Sequence, residues 1–215
     1  MDQETVKRIL DQLELDYPEA KPALNFGSPF ELLVAVILSA QCTDKRVNQV
    51  TEKLFQIANT PAQFAVMDQE QLEKLIYTCG FYHNKARHII EASRSIMERF
   101  GGEVPSTLEE LQSLAGVGRK TANVVYAVAF HGDAIAVDTH VFRVSNRIGL
   151  ANAKDVLHTE LQLMDNIPKE RWSVSHHLLI YHGRNICKSQ RPDCANCHVS
   201  GLCRHYAAQS EKFTH

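Results

Sequence analysis

Apolar residues recur along this chain at three- and four-residue intervals, while runs of strict alternation are missing. That pattern predicts helices throughout and no convincing strand. The segment before about Pro22 reads as one amphipathic helix with Val6, Ile9, Leu10 and Leu13 on a common stripe. Ser28-Pro29-Phe30-Glu31 has the form of a capping box with proline at the first helical position. The run LLVAVIL that follows (32–38) is apolar without a break, so its helix is expected at the centre of a bundle, buried on nearly every side. Thr43 is expected to cap a helix with Val47, Val50 and Leu54 on one face, Thr60-Pro61 to begin a short one, and Asp68 to cap another carrying Leu72, Leu75 and Ile76 up to Gly80. A longer helix is expected from about Lys85 through Ile89, Ile96 and Phe100 into Gly101-Gly102.

Ser106-Thr107-Leu108-Glu109 reads as a second capping box, and its helix carries Leu108, Leu111 and Leu114 toward Gly116-Val117-Gly118. Ala122, Val125 and Ala129 then recur at helical spacing, giving helix, glycine hairpin, helix. Past Gly132 come Val137-Asp138-Thr139-His140, helical stretches around 142–148 and 156–164, and a last one over 173–182 that leads into a group of cysteines.

Three constellations carry chemistry. In LAGVGRKTA (114–122) two glycines flank a valine, which lets the backbone turn sharply and come close to another backbone, while Val117 plugs the helix pair from within. The second helix then begins with unpaired N–H groups, a ready site for a phosphate, and Gly116, Val117, Gly118 and Arg119 become candidate DNA contacts. A plain tight turn between packed helices is the competing reading. Lys120 falls in the first turn of that helix, where the positive end of the dipole disfavours an ammonium and leaves part of the lysine as a nucleophilic amine able to form a Schiff base at a sugar C1′. The bland alternative is a lysine touching phosphate. Asp138, at the edge of the apolar run before it, is a candidate to stabilise a cationic sugar and assist proton transfer. It is equally a candidate helix N-cap, and the two roles can coexist; His140 reads as a core or capping histidine.

The cysteines Cys187-x6-Cys194-x2-Cys197-x5-Cys203 are the third constellation. Four thiolates so close in sequence can surround one metal centre, either a [4Fe-4S] cluster or zinc, and a single C-x2-C pair leans away from zinc ribbons, which use two. Lys188 and Arg191, between the first two cysteines, are candidate phosphate contacts or merely solvated loop.

Composition narrows the picture. The 215 residues are 44% apolar, enough to bury a core, and no apolar run is long enough to cross a bilayer. The polar start lacks the apolar stretch of an export signal, so the protein is expected to be soluble, cytoplasmic and free of disulfides. A formal net charge of -2 gives no global sign of nucleic-acid binding. DNA contacts must then rest on locally placed cations.

Together LAGVGRKTA, VDTH and the four-cysteine spacing resemble the endonuclease III family of base excision repair enzymes, and LSAQCTD (38–44) extends the likeness over nearly the whole chain. The resemblance implies an all-α helix-hairpin-helix glycosylase fold. It implies a helical barrel over residues 22–131, a cluster domain over 1–21 and 132–215 holding [4Fe-4S], and DNA in the cleft between them. It further implies Lys120 as the Schiff-base nucleophile with Asp138 as its acidic partner, removal of oxidised pyrimidines from double-stranded DNA, AP lyase cleavage by β-elimination, and a monomer. Gln41 would fill the gap left by the extruded base, and Phe81 would wedge into the stack where leucine is frequent; Ala115 replaces the proline usual before the hairpin glycine. An adenine-removing relative typically lacks the hairpin lysine and carries a further C-terminal domain. A mismatch glycosylase, a non-catalytic DNA-binding module and an iron-sulfur electron carrier remain the alternatives, and none of them needs Lys120.

Overall fold

The computed structural model describes residues 1–210, and in them every regular element is helical. The helices are α1 (Gln3–Asp16), α2 (Pro29–Ser39), α3 (Asp44–Ile57), α4 (Pro61–Ala65), α5 (Gln69–Ile76), α6 (Tyr82–Arg99), α7 (Leu108–Gln112), α8 (Arg119–Ala129), α9 (Thr139–Ile148), α10 (Val156–Asn166), α11 (Trp172–Asn185) and α12 (Arg204–Ser210). Short 3-10 turns follow α5, precede α11 and punctuate the cysteine segment. The expected all-α architecture is present.

Most helices begin where side chains can stand in for missing carbonyls. Asp2, Ser28, Thr43, Thr60, Asp68, Asp138 and Asp155 each accept from the amide three residues on. Thr60 and Gln63 complete a reciprocal capping box, whereas the Glu31 carboxylate reaches one residue past Ser28, to the amide of Gly27. One cap differs from expectation. Ser106 and Thr107 both have a glutamate three residues on, and the structure uses the later pair: Thr107 Oγ1 accepts from the Glu110 amide at 3.3 Å and donates to its carboxylate at 2.8 Å. In that register the single turn of α7 buries Leu111, with Leu114 also in the core behind it. Helix α6 starts at Tyr82, ahead of Lys85, because Phe81 turns the chain left-handed with φ of 48°. Neither α12 nor the 3-10 turns were foreshadowed by periodicity.

The chain divides into two compact units, one of Pro22–Gly132 and one combining Met1–Lys21 with the chain from Asp133 onward. In the first, α2 is the axis: Phe30 and residues 32–38 are all buried, and α3, α6 and α8 pack against it. Leu54, Phe64, Leu72, Ile76, Ile89, Ile96, Val117 and Val125 complete this core. In the second, α9 packs on α10, α11 and α12, and α1 returns onto α11. Val6, Ile9, Leu10 and Leu13 of α1 join Val141, Val144, Ile148, Leu163, Trp172, Leu178 and Leu179 in a separate core. Arg171 fixes α1 from outside the core with 2.7 Å contacts to both Asp11 and Glu14.

The cap of α7 is checked by denaturant unfolding: Thr107→Ala should cost about 1 kcal/mol, while Ser106→Ala should stay within about 0.5 kcal/mol of the parent. The reverse order would place the cap at Ser106.

Candidate functional site

In the unit of Pro22–Gly132, the hairpin between α7 and α8 has two glycines with different reasons. Gly116 has φ of 75°, and a Cβ there would lie 2.8 Å from the Cβ of His88 on α6. Only glycine suits both demands. It meets a side chain, not the backbone expected from sequence. Gly118 has an ordinary extended conformation and open space around it. Its contribution is the side chain it lacks. As the N-cap of α8 it offers no capping oxygen, so the first amides of an 11-residue helix have no side-chain partner at their cap. Val117 between them is buried, as expected, and Lys120 stands exposed in the first turn.

Two further loops of this unit present candidate residues in left-handed backbone. Gln41, just beyond the end of α2, has φ of 52° and is exposed; Phe81, at the start of α6, has φ of 48° and is 65% exposed. A bulky residue with positive φ is an outlier that surrounding structure must hold in place. Here the holder is Lys85, only 5% exposed. Its ammonium donates to the carbonyls of Leu38 at 2.8 Å, Ala40 at 2.7 Å and Cys79 at 2.6 Å. Burial pulls Lys85 below the ordinary lysine value, with Cys79 and Cys42 opposing the shift. Burial likewise pushes the Cys79 thiol up to about 12, with Cys42 adding to the rise.

In the other unit, Asp138 caps α9: its Oδ1 accepts from the Val141 amide at 2.8 Å. The side chain is only partly buried. The backbone before it is held by His176, whose Nδ1 lies 2.7 Å from the Ala136 carbonyl. His140, in the first turn of α9, has its Nδ1 3.2 Å from an Arg143 nitrogen.

Cys187, Cys194, Cys197 and Cys203 are partly buried free thiols lining one small cavity with Arg147, Ile148, His182, Ile186 and Pro192 among its walls. Among the described residues, no group of three or more His, Cys, Asp or Glu side chains is gathered to hold a single metal ion. Hydrogen-bond donors face the sulfurs. Arg147 Nη1 points at Cys187 Sγ from 3.6 Å. His182 Nε2 lies 3.6 Å from Cys197 Sγ, and its Nδ1 lies 3.2 Å from the Tyr17 hydroxyl. Burial lowers His182 to about 4 and raises Tyr17 to about 12, so both are neutral near pH 7. In the tautomer whose Nδ1 accepts from the phenol, the imidazole N–H on Nε2 faces the sulfur. Burial pushes the Cys197 thiol up to about 11, so a metal centre would have to displace its proton.

The loop after Cys187 is built from its backbone. Arg143 donates to the carbonyls of Gly183 and Cys187, and Arg147 to those of Lys188 at 2.6 Å and Ser189 at 2.9 Å. The side chains of Lys188 and Arg191 are left exposed, Arg191 in left-handed backbone with φ of 49°. Lys85, Arg143 and Arg147 are the residues that sequence reading passed over. For Lys85 a signal existed: it falls on the stripe of Ala86, Ile89, Ile90 and Ile96 that α6 buries, where a charge needs a partner.

Residues 34–169 match the family model of the HhH-GPD superfamily of base excision DNA repair proteins. The chain is 50% identical over 208 residues to endonuclease III of Bacillus subtilis (strain 168), covering 96% of this chain and 95% of the relative. It is 46% identical over 197 residues to endonuclease III of Escherichia coli (strain K12), covering 92% and 93%. A solved structure described as a trapped endonuclease III-DNA covalent intermediate, an estranged-adenine complex, superimposes with a TM-score of 0.92 at 45% identity, covering 98% of this chain and 99% of that one. The hairpin, the cysteine segment and these likenesses along nearly the whole length have one explanation: the chain belongs to the endonuclease III family of the HhH-GPD base excision repair superfamily.

Proposed function

We propose that Lys120 and Asp138 carry the chemistry of a base excision repair DNA glycosylase and AP lyase that removes oxidised pyrimidines from double-stranded DNA. As a member of its family the chain is such an enzyme; the assignment of roles is our own. The observation that carries it is the start of α8, where Gly118 supplies no capping side chain and an exposed Lys120 stands in the first turn, at the positive end of the helix dipole. Gly116, Val117, Gly118 and Arg119 bring the strand to that helix start. Gln41 and Phe81 fill the space opened by the extruded nucleotide, and Lys188 and Arg191 add phosphate contacts.

The Lys120 amine attacks C1′ and the bond from C1′ to the base breaks, its electron pair leaving with the base, which takes up a proton. Opening of the sugar gives an iminium between Lys120 and C1′. That group acidifies the C2′ proton, and its removal expels the 3′ phosphate by β-elimination. Asp138 faces the positive charge that builds on the sugar and helps move protons. Its cap leaves Oδ2 for this work, since only Oδ1 is engaged by Val141.

Cys187, Cys194, Cys197 and Cys203 would hold a [4Fe-4S] cluster. The partly buried four-thiol wall and the donors from Arg147 and His182 support this, because an anionic cluster needs hydrogen bonds to its sulfurs. The cluster would cross-link the C-terminal segment and take no part in the steps above. The residues 22–131 then form the helical barrel domain, and 1–21 with 132–215 the cluster domain. We place the enzyme in the cytoplasm, where thiols stay reduced and available as ligands; among the described residues no helix is long and apolar enough to cross a membrane.

With a thymine glycol duplex, borohydride should trap a protein-DNA adduct whose modified peptide contains Lys120. Lys120→Gln should bind DNA and give no adduct; an undiminished adduct would remove Lys120 from the role. Asp138→Asn should keep the cap of α9 and slow base removal, whereas Asp138→Ala should in addition lose about 1 kcal/mol of stability. If Asn works as well as Asp, the residue only caps. Anaerobically purified protein should be yellow-brown with about four irons per chain, and stoichiometric zinc in iron-free protein would contradict the cluster. Lys188→Ala and Arg191→Ala should each lower the slope of log affinity against log salt by about one; unchanged slopes would make the loop mere surface.

A further inference from the structure

We propose that Lys85 is a positioning residue for base extrusion: its buried ammonium joins the end of α2 to the turn before Phe81, so that Gln41 and Phe81 enter the duplex as one rigid pair. The proposal rests on the reading above that these two side chains enter the DNA, and adds what makes them act together.

The ammonium has three N–H donors, and three carbonyls meet it at 2.6 to 2.8 Å. Its donor capacity is therefore filled. Two of those oxygens, on Leu38 and Ala40, lie at the C-terminal end of α2, where helical carbonyls run out of amide partners and the dipole is negative. The third, on Cys79, closes the 3-10 turn that leads into Gly80 and Phe81. Ala40 is the residue before Gln41, and Cys79 stands two before Phe81. One buried charge thus holds the two loops at a fixed spacing, in the left-handed conformations that aim their side chains outward.

A buried ammonium is costly unless its hydrogen bonds are complete, and packing alone would be served by methionine of similar length on the same stripe. What methionine cannot supply is a bond to both loops at once. Without it each set of carbonyls finds water separately, and each loop relaxes on its own. Extruding a nucleotide means unstacking and unpairing it, and the vacated space must be filled as it opens. A plug and a wedge that arrive independently do this less often than a pair of fixed spacing.

The test uses the full-length holoprotein with two duplexes that carry 2-aminopurine as a fluorescent reporter of unstacking. One has a paired thymine glycol beside the reporter and the other an unpaired abasic site. Lys85→Met should slow single-turnover base removal from the paired lesion by about a hundredfold, the scale of a misplaced group that does no chemistry itself. It should also lose most of the fluorescence rise, yet form the borohydride adduct at the unpaired abasic site as the parent does. Lys85→Arg keeps the charge, but its planar fork serves three converging oxygens poorly, so it should show the same split more weakly. A folded Lys85→Met that extrudes normally, or one that loses both substrates equally, would overturn the proposal. Gln41→Ala and Phe81→Ala separate the two levels: if they keep the full fluorescence rise, the loop assignment falls and the proposal with it. If they lose it while Lys85→Met does not, only Lys85 is misassigned. Should the variants not fold, hydrogen exchange in the parent protein decides: the amides of Cys42 and Lys85, bonded to the Ser39 and Phe81 carbonyls at 3.1 Å, should open with one common free energy, and two separate ones would refute a rigid pair.

Discussion

Phe30 and residues 32–38 leave no face of α2 for water, and a helix of that kind exists only when other helices enclose it. Helices α3, α6 and α8 pack directly on it, and their amphipathic stripes are the complement of its apolar surface. The candidate residues of this unit lie where those helices stop or start. Gln41 follows the end of α2, Phe81 precedes α6, and Lys120 opens α8. Lys85 bonds the first two of these ends, and His88, further along α6, is the side chain against which Gly116 fits. A core that fixes the helix axes therefore fixes the places from which side chains can reach a ligand. Loop residues gain their precision from the rigid elements that bear them.

The other unit applies the same economy to one helix. At its start α9 is capped by Asp138; one turn on, Arg143 reaches the carbonyls before and at Cys187; a turn later, Arg147 takes those of Lys188 and Ser189 and faces the Cys187 sulfur. One rigid rod thus carries the candidate carboxylate at one end and organises the cysteine loop from its flank. Helix α1 closes the same core from the far end of the sequence, held by Arg171 and by the Tyr17 contact to His182.

Much of this was legible from residue order because its physics is local. Caps at Ser28, Thr43, Thr60 and Asp68, the apolar run of α2 and the glycine hairpin each depend on neighbours within one turn of helix. Thr107 was misread in favour of Ser106 because both offer a hydroxyl with a glutamate three residues on, and only the packing of Leu111 decides between them. The left-handed Phe81 was invisible, since nothing in a phenylalanine announces positive φ. For Lys85 the charge on a buried stripe was a signal, but its partners, like those of Arg143 and Arg147, had none, because they are carbonyls up to 47 positions away. Backbone acceptors have no sequence signature. The cysteine spacing stood out because four ligands of one type need no further context, whereas the cavity they line needed the fold.

Three of the four left-handed non-glycine residues, Gln41, Phe81 and Arg191, have an implication for how this protein can adapt. Each would rest more easily there as glycine, because a side chain in that conformation stores roughly 1–3 kcal/mol of strain. If these side chains meet DNA as proposed, endurance and performance pull in opposite directions at these three positions. Lineages that move to hotter surroundings must find their extra stability elsewhere, in the two cores, the caps or the surface ion pairs.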